Sequence, residues 1–328
     1  MTTISAESVL ASALAADPTG RNRIDTLLLR YPRWIHSEFM THRVFSRNAS
    51  SSRAIPVERL IQSAIDDPAV PLHWGGNQKG MQAAAELDEF VEVTDLQMAL
   101  ANSPYDQSGE FTGCVEETTS VPREAAWLFA RDRAVQAARG FADAGYHKQL
   151  VNRLLEPFTH ITVVVTATDW DNFIQLRNHP DAEPHMQLLA RAIMQARGEA
   201  VVQRLRPNEW HLPFADGRVQ HTTELTTELG KALALSVACC ASTSYRTVEG
   251  FDMTMERARA LFDRLAHATP PHASPFEHQA MADVHRIDRG WVGRDRRGNF
   301  CPGWVQYRQI MNEIQHIHTT YGDEDDGA

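Results

Sequence analysis

Apolar and polar positions along the chain separate into short strand-like runs and longer helix-like stretches. The run Thr26-Leu27-Leu28-Leu29, inside Asp25–Tyr31 and closed by Pro32, is short enough to predict a strand. Ile161–Ala167, read Ile-Thr-Val-Val-Val-Thr-Ala, is β-branched and predicts a strand buried on both faces. Helical spacing is clearer elsewhere. Trp34, Ile35, Phe39 and Met40 recur at i, i+1, i+5 and i+6 and predict a helix over Arg33–Arg43. Further helices are predicted over Ser5–Ala16, Pro56–Asp66, Val121–Tyr146, Leu229–Ser242 and Thr254–His267. Pro184–Arg204 is expected to pack through Met186, Leu189, Ile193 and Met194, and a last helix is expected within Gly298–His318. Asp169 is the expected N-cap of the segment that follows the Ile161 strand. The alternation gives a helix-rich α/β fold, one domain over residues 1–328 with an insertion at 67–120 and an acidic tail at 322–328.

Composition narrows the class. A chain of 328 residues with 43% hydrophobic and 23% charged residues has the balance of an ordinary globular protein. Its net charge of −10 provides no global field for a nucleic acid polymer. The four cysteines lack CxxC spacing, which argues against a zinc site and for reduced thiols, hence a cytoplasmic setting. The histidines, including His316 and His318, show no carboxylate-rich cluster of metal-ligand spacing, so no metal is expected. No apolar run has the length of a membrane span.

The densest chemistry lies in Thr41-His42-Arg43-Val44-Phe45-Ser46-Arg47-Asn48-Ala49-Ser50-Ser51-Ser52-Arg53. His and Arg offer flat, charged donors, and the Ser-Ser-Ser-Arg end offers hydroxyl and guanidinium donors suited to a phosphate. A solvated basic turn has the same composition. The stretch resembles the signature of the flavin-dependent thymidylate synthases: His42, Arg43, Ser46, Asn48, Ser51 and Arg53 match in register, while Thr41 replaces an Arg and Ala49 a Glu.

Two further segments resemble that family. Arg153 and Pro157, then the Ile161 strand, then Asp171-Asn172-Phe173 and Leu176-Arg177 follow one of its series, with Thr166 and Thr168 where the family has Asn and Arg. Ser274-Pro275-Phe276-Glu277-His278 follows another, but stands after the signature instead of before it. The chain therefore resembles a circularly permuted member, in which Asp25–Tyr31 and the segment after His278 are expected to meet in one sheet region.

The resemblance implies a central mixed or antiparallel sheet flanked by long helices and C5-methylation of a uridine monophosphate. It implies FAD, NADPH as reductant, 5,10-methylenetetrahydrofolate as carbon donor, and a homotetramer sharing its active sites. It places Arg177 and His278 in catalysis. His42, Arg43, Asn48, Thr166, Thr168 and Asn172 fall on the cofactor, and Glu38, Ser51, Ser52, Arg53, Arg153 and Arg177 on the nucleotide. An arginine beside the uracil ring would stabilise an anionic ring by fixed charge. Hydroxymethyl transfer to the same carbon, a flavin- or nucleotide-binding protein without catalysis, and a metal-dependent hydrolase are the alternatives.

Overall fold

A computed structural model describes residues 2–17, 19, 22–79, 83, 85–98, 114–215, 227–243, 253–270 and 272–311. In chain order its elements are β1 (Ser5–Leu14), β2 (Arg23–Pro32), α1 (His36–Phe39), β3 (Ser46–Ala49), α2 (Val57–Asp66), β4 (Val91–Met98) and β5 (Cys114–Val121). Then come α3 (Arg123–Asp143), α4 (Lys148–Val151), β6 (His160–Ala167), α5 (Asp171–Arg177), α6 (Pro184–Glu199), β7 (Val202–Leu205) and β8 (Trp210–His211). The chain continues with α7 (Thr227–Ala241), α8 (Met255–Ala266), β9 (Ala280–Ala282), β10 (His285–Arg286), β11 (Gly290–Trp291) and β12 (Trp304–Gln306). These elements form two compact units, one of residues 1–2 and 57–159 and one of residues 3–56 and 160–328.

The larger unit is built on a five-stranded mixed sheet of order β3-β6-β2-β1-β7, antiparallel except for the parallel pair β1–β7. Strand β6 is paired along both edges, which fits its unbroken β-branched run. Leu27, Leu29, Val163 and Val165 pack with Met186, Leu189 and Ile193 of α6 in one apolar cluster. Strands β12-β9-β8 make a second, antiparallel sheet, and β10 pairs with β11. In the smaller unit α2 and α3 pack together, Trp127 donates to the carbonyl of Ala69 at 2.9 Å, and β4 pairs with β5 from Val91–Val121 to Met98–Cys114.

Several expectations are corrected. Ser5–Ala16, rich in Ala and Leu, is a strand: β2 and β7 occupy its two edges, and pairing on both sides outweighs helix propensity. The Pro184 helix stops at Glu199, and Val202–Leu205 joins the free edge of β1. Arg33–Arg43 is a 3-10 turn followed by the short α1. Asp169 does not cap α5; its carboxylate accepts from the backbone N–H of Asp171 at 3.2 Å, ahead of a helix whose N-cap is Trp170. The last helix expected within Gly298–His318 is, by contrast, present at residues 307–311, directly after the strand Trp304–Gln306. The tail 322–328 lies outside the described residues.

The single sheet region expected from Asp25–Tyr31 and the segment after His278 is also corrected. Both edges of β2 are taken by β1 and β6, so β9 pairs with β8 and β12 instead. Ile24, the residue just before Asp25, shares an apolar cluster with Ala280 and Ala282.

Buried Asp25 ties β2 to α6. Arg23 Nε donates to its carboxylate at 2.7 Å and Arg197 Nε at 3.0 Å. Asp25→Ala leaves two mostly buried guanidiniums without their anion and is expected to cost about 3 kcal/mol, read as a lower urea midpoint with an unchanged m-value.

Candidate functional site

Helix α1 ends in a turn in which the Thr41 and His42 N–H groups donate to Glu38 and Phe39 carbonyls at 3.1 and 3.3 Å. Arg47 closes that end: its Nη1 donates to the carbonyls of Phe39, Met40 and His42 at 3.4, 3.1 and 3.1 Å. A cation on carbonyls at a helix C-terminus fixes the turn. The His42 ring is wedged between Phe45, stacked at 5.9 Å, and Phe173, edge-on at 4.9 Å.

Phe173 lies on α5, one turn before Arg177, so the helix that clamps the ring also delivers the guanidinium. Arg177 Nε donates to His42 Nε2 at 3.1 Å, Nη1 to Glu38 at 3.2 Å and Nη2 to the Thr41 hydroxyl at 3.5 Å. Burial, then Arg177 and Arg47, lower the His42 pKa to about 4. The ring is therefore neutral near pH 7, and accepting at Nε2 places its proton on Nδ1. A guanidinium has five N–H donors, and these three partners leave two for a ligand. The Glu38 side chain is 41% exposed, so its ion pair with Arg177 orients more than it stabilises.

The remaining signature residues are dispersed. Arg43 and Arg53 are exposed, Ser52 is buried, and Ser51 is half-buried. Strand β3 lies between the His42 turn and Ser51–Arg53, four residues or about 13 Å of extended chain. Ser46 is buried and hydrogen-bonded to Asn299 and Gln306, both at 3.2 Å. Asn48 donates to the carbonyl of Cys240 at 3.2 Å, and its own amide oxygen is buried without a partner among the described residues. Asn172 is exposed on α5. Arg153, in the smaller unit, pairs with Glu156 at 3.6 Å.

Thr166 and His278 lie in the core. The Thr166 hydroxyl meets His278 Nδ1 at 2.9 Å and the Thr26 hydroxyl at 2.7 Å. Burial lowers the His278 pKa to about 3. Thr168 accepts from the Cys301 N–H at 2.8 Å and borders a cleft of about 780 Å³ with Arg23, Asp169, Trp170, Asp171 and Arg197. Among the described residues no cluster of three or more His, Cys, Asp or Glu could hold a metal ion, and no helix is long and apolar enough to cross a membrane.

Arg47, Thr26 and His211 were not singled out from sequence. Arg47 lies inside the polar stretch at a position the resemblance leaves open, Thr26 inside an apolar run, and His211 outside all three family-like segments.

Neither a family model nor a curated protein matches the sequence. Solved structures with a similar arrangement are flavin-type synthases and a methylase. One is the UMP/dUMP methylase PolB from Streptomyces cacaoi bound with 5-Br dUMP, at 16% identity, 60% of this chain and 91% of that chain, TM-score 0.41. Another is the flavin-dependent thymidylate synthase ThyX from Helicobacter pylori complexed with FAD and dUMP, at 18% identity, 54% and 68% of the two chains, TM-score 0.31. With TM-scores this low, the functional reading rests on the residues described above.

Four wholly or partly buried histidines have lowered pKa values: His36 and His42 to about 4, and His211 and His278 to about 3. The unfolded chain protonates them near 6.5 while the folded chain keeps them neutral. Stability is therefore complete above about pH 6.5 and falls as the pH drops towards 4, each ring contributing up to about 1.4 kcal/mol per pH unit. Urea unfolding at pH 7, 6 and 5 reads this directly, and His42→Phe is expected to flatten the slope.

Proposed function

We propose that this chain is a flavin-dependent C5-methylase of a uridine monophosphate. The reading is carried by one observation: Arg177 and His42, from two family-like segments 135 residues apart, share a 3.1 Å hydrogen bond. A solvated basic turn would not bring a distant guanidinium onto its one buried histidine.

The donor set fits the proposed groups at the surface of the site. Arg43, Arg53 and Asn172 are exposed, and Arg177 keeps free N–H groups, which suits phosphates and a pyrimidine carbonyl edge. Bound FAD would supply hydride chemistry, with NADPH as its reductant and methylenetetrahydrofolate as the one-carbon source. His42 and Arg43 would hold the flavin and Ser51 and Arg53 the nucleotide phosphate. A homotetramer with shared sites is part of the proposal.

Carbon 5 of uracil is a weak nucleophile. Arg177, held by neutral His42 and by Glu38, would place positive charge at the ring carbonyl and favour the electron-rich form. Neutral His42 matters here, since an imidazolium could neither accept from Arg177 nor share its site without repulsion. Ala49, exposed where the resembled family has a carboxylate, is the position at which UMP and dUMP would be distinguished.

The test is C5-methylated product from UMP and from dUMP. Arg177→Ala is expected to lower kcat about 10²- to 10³-fold, and Arg177→Lys to fail to restore it, because an ammonium lacks the fork that spans His42 and Glu38. Full activity in Arg177→Ala would remove the guanidinium from the mechanism. A flavin-loaded protein that leaves NADPH unoxidised with nucleotide and folate present would make the chain a binding protein instead.

A further inference from the structure

Five side chains from four strands and one turn form a continuous buried hydrogen-bonded chain across the larger unit. Ser12 Oγ meets His211 Nδ1 at 2.9 Å, His211 Nε2 meets Thr26 Oγ1 at 2.8 Å, Thr26 meets Thr166 at 2.7 Å, and Thr166 meets His278 Nδ1 at 2.9 Å. All five residues are fully buried. The chain stops at His278 Nε2, which is buried with no partner among the described residues. A structural network that ended there would leave a buried ring nitrogen unsatisfied, at a cost of about 1–3 kcal/mol.

Each hydroxyl has one proton to give and each neutral imidazole one N–H, so the chain has two consistent polarities. In the first, Ser12 donates to His211 Nδ1, His211 Nε2–H to Thr26, Thr26 to Thr166, and Thr166 to His278 Nδ1. His278 then carries its proton on Nε2. In the second, every bond is reversed, both histidines carry Nδ1–H, and His278 Nε2 presents a bare lone pair. Mixed arrangements fail at the threonine pair. They leave either two oxygens 2.7 Å apart with no proton between them, or a buried hydroxyl proton with no acceptor in the chain.

We propose that this chain locks His211 and His278 into the same tautomer and thereby sets whether His278 Nε2 acts as donor or acceptor towards a polar ligand group. Ser12, Thr26, Thr166 and His211 are positioning residues that act through His278. The lowered pKa values of both rings, to about 3, keep them neutral, as the coupling requires. A ligand accepting at Nε2 selects the first polarity and one donating there selects the second. The coupling follows from the geometry alone; its use on a uridylate ring or its one-carbon partner rests on the function proposed above.

The experiment is ¹⁵N NMR of the full-length protein labelled in histidine, with the protonated nitrogen of His211 and His278 identified in each ring. Like tautomers in the wild type support the lock, and unlike tautomers overturn it. Thr26→Val removes the central hydroxyl at nearly constant shape. It is expected to change the tautomer populations of the two rings independently, and Thr26→Ser to restore the wild-type pattern. Unchanged populations in a folded Thr26→Val overturn the proposal; should that variant not fold, the wild-type comparison decides alone. With uridylate substrate, Thr26→Val is expected to lower kcat about 10²-fold at unchanged KM. A wild type inactive on both nucleotides would defeat the proposed function and leave the NMR result to judge the lock.

Discussion

Strand β6 is hydrogen-bonded along both edges, to β2 and to β3, and the chemistry of the larger unit is referenced to it. Its pairing with β3 carries the signature and fixes where the His42 turn must end. Its last residues lead through Trp170 into α5, which brings Phe173 and Arg177 back onto that turn. Its Thr166 joins the first sheet to His278. A strand buried on both faces cannot slip by one residue without turning its side chains inside out, so one register fixes all three features.

Electrostatics in this region are organised by exclusion of water more than by opposing charge. His42 is neutral because it is buried among Phe45, Phe173 and two arginines. His211 and His278 are neutral because burial penalises their charged forms, and for His211 the nearby His278 adds to that penalty. Asp25 carries a carboxylate into the core between two arginines. A chain with an excess of acidic residues sets a cationic group, Arg177, beside a neutral imidazole at this site.

Local patterns made much of this legible. The β-branched run of β6, the apolar run of β2 and the amphipathic spacing of α2, α6 and α8 were readable because burial imposes their periods. Strand β1 was not readable: Ala and Leu favour a helix in isolation, and only pairing with β2 and with β7, far along the chain, makes it a strand. The same division holds at the site. His42 and Arg177 stood out by type and spacing, and the structure joins them. Arg47 acts through backbone carbonyls, and Thr26 and His211 act through partners 140 and 185 residues away, so nothing in their neighbourhoods marks them.

Helix α5 is seven residues long, too short to hold its shape unaided. Its geometry is borrowed from Phe173, which is inserted among Phe39, Phe45 and Trp170. The sharpness of the charge placed by Arg177 is therefore a property of aromatic packing. Evolution cannot retune that charge without repacking hydrocarbon, and a change of oil beneath the helix would register as a change of field above it.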